Sequence, residues 1–393
     1  MMPLEGIKVL DLTRILSGPF CTMTLADLGA EVTKIESPNG DDTRQWGPPF
    51  IGDESAYFLS INRNKKSVVL NLKEEKGKEI FYKLVEESDI VVENFRPGTL
   101  DRLGIGYESL KKHNPRIILG SISGFGQSGP YSKKPGYDVL AQGMGGLMSV
   151  TGEPGGTPVK GGYSLADIGS GMWAIIGILA ALREREISGE GQWVDSSLLD
   201  TMVSWQTYLA GNYFATKENP KPLGGAHPNI VPYEVFKASD GYFILAVGND
   251  SLWQRFLDVL GEDKFRDERF ATNPQRVEHR DELVAMLNDT FQSKTKDEWV
   301  EIIEKAGVPC GPVNKFSDVL NDPHVKEREM VVEKEHPKLG TFQMLGIPVK
   351  LSRTPGQIES IPPGLGEHSE EVLKRLGYTD EEIESFSKNG ITN

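Results

Sequence analysis

The sequence predicts an α/β protein with a large parallel-sheet domain and a smaller α+β unit, and three observations carry that prediction. Short β-rich runs alternate with helix-length segments as far as Ile122. A Gly- and Pro-rich stretch from Gly124 to Gly162 then leads into one long apolar helix pattern. Composition shifts near residue 212, and a hairpin pattern with three further helices follows. At 393 residues the chain is too long for one ordinary core and long enough for two.

In chain order, Ile7–Leu12 reads as a buried strand, Pro19–Leu28 as a helix stopped by Gly29, and Val32–Ile35 as the next strand. Ser67–Leu72, Ile90–Phe95 and Arg116–Ile122 are β-rich, and Glu75–Glu87 is helical. Strands separated by helices of this length argue for a parallel sheet with crossover helices. Ser164–Arg185 is helical and apolar although Gly169, Gly171 and Gly177 interrupt it. Glycine costs roughly 1 kcal/mol against Ala inside a helix, so these positions predict close approach of another backbone or of a ligand. Between residues 225 and 325, Tyr233–Phe236 and Tyr242–Val247 form a strand pair joined by Ala238-Ser239-Asp240-Gly241. Helices follow at Ser251–Leu260, Asp281–Gln292 and Thr295–Ala306, and a last one at Ser369–Leu376.

The sequence argues against several function classes. A net charge of −14 gives no general attraction to nucleic acid or to an anionic membrane. Neither G-x-G-x-x-G nor G-x-x-x-x-G-K-[ST] occurs, which argues against a nicotinamide dehydrogenase or a phosphate-loop ATPase. The six histidines show no zinc spacing, so no metal site is predicted, and there is no G-x-S-x-G elbow. Cys21 and Cys310 are far apart, no basic leader precedes an apolar run, and the best apolar stretch is Met172–Leu182. The expectation is a cytoplasmic protein without membrane contact.

Two features carry chemistry. Arg63-Asn64-Lys65-Lys66 precedes a strand, and Lys73, Arg96 and Arg102 occupy loops after strands, where open parallel sheets bind ligands. Such a cluster could hold phosphates, although spacing alone favours a solvated charge run. Asp167 opens the glycine-rich helix. Ser164-Leu165-Ala166-Asp167 fits a capping box, and the same carboxylate would serve as a nucleophile beside N–H donors that stabilise an oxyanion. Spacing does not choose between these roles.

Nine segments in order resemble the class III CoA-transferase family, which includes formyl-CoA transferase and is related to α-methylacyl-CoA racemase. They are PLEGIKVLDLTRILSGPF, DLGAEVTKIE, GDDTR, NRNKKSVVLNLK, VVENFRPGTLDRLGIGYE, SGFGQSGP, SLADIGSGM, AGVPCGPV and LGEHSEEVLKRLG. Each is weak alone; together they span nearly the whole chain. The resemblance implies a Rossmann-like large domain with a smaller domain in an interlocked homodimer. Its first part would be residues 1–212, its linker and small domain 213–325, and a linker and C-terminal return to the large domain 326–393, the return being to the partner subunit's large domain. It implies acyl-CoA and carboxylic acid substrates and no tightly bound cofactor.

Asp167 falls on the family's nucleophile. Coenzyme A contacts carry over to the Ile15–Ser17 loop with Leu16 and Ser17, to Leu70, Asn71, Leu72 and Lys73, to Asn94, Phe95 and Arg96, and to Arg102, Lys134 and Tyr137. Trp46 and Tyr57 match aromatic positions near the active site. Gly224 and Gly225 match the loop that closes over the aspartyl intermediate, with His227 just beyond. Leu16 stands where formyl-CoA transferase has glutamine, which argues against formate and oxalate. Ser37 replaces an expected arginine contact. Tyr137 occupies the racemase histidine position, and a phenol with a pKa near 10 is poorly matched to exchanging an α-proton. WGPPFIGDESAYFLSINRNKKS and GGAHPNIVPYEVFKASDGYF look like the succinyl-CoA:glutarate branch. The expected function is therefore CoA transfer from succinyl-CoA or a similar donor to a dicarboxylate. An acyl-CoA racemase or epimerase and a non-catalytic CoA-binding protein are the alternatives. Arg44 and His227 are candidates for the distal carboxylate.

Overall fold

A computed structural model describes residues 1–393. The chain forms two compact units, one of residues 1–147, 160–214 and 324–393, the other of residues 148–159 and 215–323. The glycine-rich strap 148–159 thus clusters with the second unit and not with the first 212 residues.

The first unit is built on six strands: β1 (Lys8–Asp11), β2 (Glu31–Glu36), β3 (Lys65–Val69), β4 (Ile90–Glu93), β5 (Ile118–Ser123) and β6 (Trp193–Ser197). Their order is β3-β2-β1-β4-β5-β6, and every neighbouring pair is parallel. This is the Rossmann arrangement. All residues of β4 and β5 are buried, as a sheet covered on both faces requires. Strand order reverses between β1 and β4, which opens a crevice at the carboxyl ends of those strands. The sequence reading finds five strands and misses β6. Trp-Val-Asp-Ser-Ser is half polar, and as an edge strand β6 pairs only with β5, so it lacks the apolar run of its neighbours.

Six helices position the site: α1 (Ser17–Asp27), α2 (Ala56–Ile61), α3 (Glu75–Glu86), α4 (Asp138–Met144), α5 (Leu165–Ser188) and α6 (Leu198–Ser204). Cys21 and Leu25 of α1 and Ile178 and Leu182 of α5 cover one sheet face through Val9, Val92 and Ile118. On the other face Ile80, Phe81 and Leu84 of α3 pack with Val68, Val91 and Leu373. At 24 residues, α5 is long and apolar enough by composition to cross a membrane, beyond the Met172–Leu182 run read from sequence. Here one side of it is core, with Ala166, Ala174, Ile178 and Ala181 buried.

The glycines of α5 mark close approaches. A Cβ on Gly171 would lie 2.6 Å from the Ser17 carbonyl oxygen; Gly169 and Gly177 make room for Trp205 and Val194 side chains. Residues 324–393 close on this chain's own sheet, where the resemblance implied a return to the partner. His368 N–H donates to Ser67 O at 2.9 Å and Asn71 N–H to Ile391 O at 2.8 Å. Val69 N–H donates to Ser369 Oγ at 3.1 Å. The tail thereby covers β3, an edge strand whose free backbone groups need partners.

In the second unit, Tyr233–Lys237, Tyr242–Ala246 and Cys310–Pro312 form an antiparallel sheet. The helices Asp250–Leu260, Arg280–Phe291 and Lys296–Lys305 pack Trp253, Phe256, Phe291 and Trp299 onto it.

Candidate active site

β1 delivers the chain to the crevice, and the turn that follows it is unusual. Ile15 has φ 71°. A β-branched residue in the left-handed region is strained by about 1–3 kcal/mol, and such strain persists only where surrounding structure enforces it. Leu16 caps α1 without a side-chain hydrogen bond. The N–H groups of Ser17 and Gly18, first in the helix, therefore have no intrahelical acceptor. Asn94, after β4, pins the turn: Arg14 N–H donates to its Oδ1 at 2.8 Å and its Nδ2 donates to Arg14 O at 2.7 Å.

Asp167 lies in the first turn of α5, one helical turn before Gly171 and on the same face. That face meets the Ser17 backbone at Gly171, which puts the first turn of α5 on the side of the helix that packs on α1. Asp167 is not the cap of its helix. Ser164 makes no capping bond; instead Asp138 of α4 accepts from Ala166 N–H at 2.9 Å and Asp167 N–H at 3.3 Å through Oδ1. Gln142 Nε2 donates to the other Asp138 oxygen at 2.6 Å. Relieved of capping, the half-buried Asp167 side chain accepts no hydrogen bond. Burial, reinforced by the Asp138 charge, pushes its carboxyl up to about 7. Tyr57 senses the same charges: burial, then Asp167, Asp41 and Asp138, push its phenol up to about 12. Trp46 packs edge-on to Tyr57 at 5.2 Å.

The attacking role that the family resemblance implies for Asp167 requires the ionised carboxylate, so kcat/KM for an acyl-CoA is expected to rise with pH and level off above about 7. Asp138→Asn removes the like charge while keeping an acceptor for the two amides. Its profile is expected to shift to lower pH by roughly 0.5–1 unit; an unmoved limb in initial-rate profiles would show that Asp138 does not set this ionisation.

A cleft of about 310 Å³ opens at the carboxyl ends of β1, β2 and β3, lined by Thr13, Arg14, Ser37, Leu70–Lys73 and Phe95. It brings together five predicted coenzyme A contacts: Leu70, Asn71, Leu72, Lys73 and Phe95. Arg96 lines a neighbouring crevice with Asp101 and Trp193. Arg102 donates to Thr99 Oγ1 at 2.8 Å, and the Lys134 ammonium sits 3.9 Å from the centre of the Tyr131 ring. Tyr137 precedes α4 and is exposed.

Other predicted residues are otherwise engaged. Arg63 and Lys65 are buried, neither a phosphate cluster nor a solvated run, and pair with Asp27 at 2.7 Å and Asp11 at 3.0 Å. Arg44 chelates Glu36 at 2.8 and 2.7 Å and stacks on Phe58 at 3.7 Å, which leaves it no role as a carboxylate receptor. In the second unit, Gly224 N–H donates to Gly152 O at 2.9 Å, and a Cβ on Gly225 would meet Val235 at 2.9 Å. His227 accepts from Asn229 N–H through Nδ1; burial and the Arg280 charge hold its pKa below the usual value, so it is a poor cation for a carboxylate. Sequence reasoning missed Asp138 and Asp41. Asp138 follows Tyr137 in PGYD, and Asp41 lies in GDDTR, but nothing local marks either as a partner of a distant turn.

The family profile described as CoA-transferase family III matches residues 4–369. Succinyl-CoA:glutarate CoA-transferase of Homo sapiens is 41% identical over 99% of this chain and 90% of its own. Acetyl-CoA:oxalate CoA-transferase of Acetobacter aceti is 42% identical over 89% of each. The crystal structure of a CAIB/BAIF family protein from Brucella suis superposes with a TM-score of 0.85 at 44% identity, covering 95% of this chain and 99% of that one.

Proposed function

Since the chain belongs to CoA-transferase family III, we propose that it moves coenzyme A between dicarboxylic acids through covalent intermediates on Asp167. The observation that carries this reading is a carboxylate freed from capping by Asp138, on the face of α5 that packs at Gly171 against the start of α1, where the Ser17 and Gly18 N–H groups lack intrahelical acceptors. An Asp167 oxygen attacks the donor thioester carbonyl, forming a mixed anhydride and expelling CoA thiolate. The thiolate attacks the aspartyl carbonyl and releases the donor acid, leaving an aspartyl-CoA thioester. The acceptor carboxylate attacks that thioester, again expelling CoA thiolate, and a second anhydride forms. The thiolate then takes the acceptor acyl group and restores the Asp167 carboxylate. Each addition places an oxyanion within reach of N–H donors, the largest stabilising effect in acyl transfer. The elevated proton affinity of Asp167 makes it a stronger nucleophile once ionised. The cleft at the sheet edge, with Lys73 at its rim, takes the nucleotide end of coenzyme A.

Relatives named for glutarate, mesaconate and oxalate support a dicarboxylate acceptor. The oxalate enzyme keeps that acid in consideration despite Leu16. Succinyl-CoA offered to a panel of glutarate, mesaconate, oxalate, acetate and formate should yield new thioesters by mass spectrometry. At least one dicarboxylate is expected to exceed the monocarboxylates by about 10-fold or more in kcat/KM; acetate or formate as the best acceptor would refute dicarboxylate specificity.

We also propose a homodimer. Met172, Trp173 and Ile176 form an exposed apolar stripe on α5, and Tyr208, Tyr213 and Phe214 are exposed on the helix Thr207–Thr216; exposed apolar patches of this kind mark protein contacts. Light scattering should give twice 43.4 kDa; a monomeric mass would remove the proposal.

A further inference from the structure

The strained turn between β1 and α1 is gripped from below by four charges with fully buried side chains, Asp11, Lys34, Asp41 and Lys65. Two lysines take carbonyls of the turn and of the first turn of α1: Lys34 Nζ donates to Thr13 O at 2.7 Å and Lys65 Nζ to Pro19 O at 3.0 Å. Two aspartates take its amides: Thr13 N–H donates to Asp11 Oδ1 at 2.8 Å and Ile15 N–H to Asp41 Oδ1 at 3.3 Å. The charges pair as Lys34–Asp41 and Lys65–Asp11, each at 3.0 Å. Three adjacent strands and the loop after β2 supply them. Asp41 Oδ2 meets Lys34 by charge without hydrogen-bond alignment. The directed bonds of Asp41 go to Ile15 N–H and to the N–H and hydroxyl of Thr43.

Buried ion pairs are costly to desolvate, and apolar residues of similar volume often stabilise a core as well. Stability alone does not account for four such charges beneath one turn. Their bonds instead converge on the backbone around Ile15, which holds the positive φ that turns the chain into α1.

We infer that Asp11, Lys34, Asp41 and Lys65 are positioning residues for acyl transfer, holding the turn so that the Ser17 and Gly18 N–H groups meet the oxyanions formed at Asp167. This rests on the reading of Asp167 as nucleophile.

The test compares Asp41→Asn with wild type in the full-length protein, using succinyl-CoA as the probe. The rate of CoA attachment to the Asp167 peptide, followed by mass spectrometry, is read beside kcat and KM. Asp41→Asn should slow attachment and kcat by about 10- to 100-fold, the loss typical of a displaced oxyanion donor, with KM for succinyl-CoA within about threefold. Adding Ile15→Gly, which removes the strain of a positive φ, should recover at least about fivefold of kcat, a response that mere loss of folded protein would not give. If Asp41→Asn does not fold, Lys34→Met with Asp41→Leu removes both turn contacts without stranding a charge and should show the same slow attachment. Wild-type attachment at Asp167 with equal rates in the variants overturns the positioning role. Wild-type protein that never carries CoA on Asp167 overturns the nucleophile reading instead.

Discussion

Asp167→Asn is expected to abolish CoA exchange, by at least about 10⁴-fold in kcat, while making the protein more stable at neutral and alkaline pH. The activity loss follows from the proposed mechanism, in which Asp167 carries both anhydrides and the thioester. The stability gain follows from linkage. In the folded chain the Asp167 carboxyl is raised from an ordinary 3.8 to about 7, so the fold binds its proton more tightly than the unfolded chain does. Wild type therefore loses stability as pH rises from about 4 through 7, and keeps it below. Asn has no charge to desolvate beside Asp138. At pH 8 the variant should be more stable by about 2–4 kcal/mol, and the difference should vanish near pH 3. Urea unfolding at both pH values measures it. Asp167→Ala serves as the control against deamidation of Asn. Full exchange by clean Ala protein would end the nucleophile assignment, and equal stability at pH 8 would end the account of its ionisation.

Asp11→Ala is expected to be the most damaging substitution for the fold. Asp11 receives Thr13 N–H and Oγ1 on one oxygen and Thr22 Oγ1 and Lys65 Nζ on the other. Burial opposes its charge, but Lys65, Lys34 and the two hydroxyls outweigh burial and hold the carboxyl well below its usual range. Removing it leaves the Lys65 ammonium buried without a counter-charge, which costs about 3–5 kcal/mol. Asp11→Leu combined with Lys65→Met replaces the pair with apolar volume and should lose much less. Urea midpoints separate these outcomes: a single variant within 1 kcal/mol of wild type, or a double variant as unstable as the single, contradicts the pairing argument.

Much of the large unit is legible in the chain. Five of its six strands lie within three residues of their expected places, because Val- and Ile-rich runs buried on both faces are a local signal. The third strand starts two residues earlier than read, at Lys65, since a buried lysine looks like a boundary until its partner is known. β6 was invisible for the related reason that polar residues suffice on an edge.

The site divides along the same line. Motif order alone places a carboxylate at Asp167, and the surrounding glycines announce that something approaches closely. Whether that carboxylate caps its helix or stands free depends on Asp138, 29 residues away in sequence and delivered by a different helix. Whether Lys65 is solvated or buried depends on Asp11, 54 residues away on a strand two places over. Hydrophobic periodicity is set by neighbours a few positions apart, so the sequence by itself determined the layers and the strand succession, and its motif order marked the carboxylate proposed as nucleophile. Charge pairing and capping depend on what a crossover connection brings within about 3 Å. Only the tertiary structure therefore decided which charges are buried supports and which carboxylate is left without a capping role.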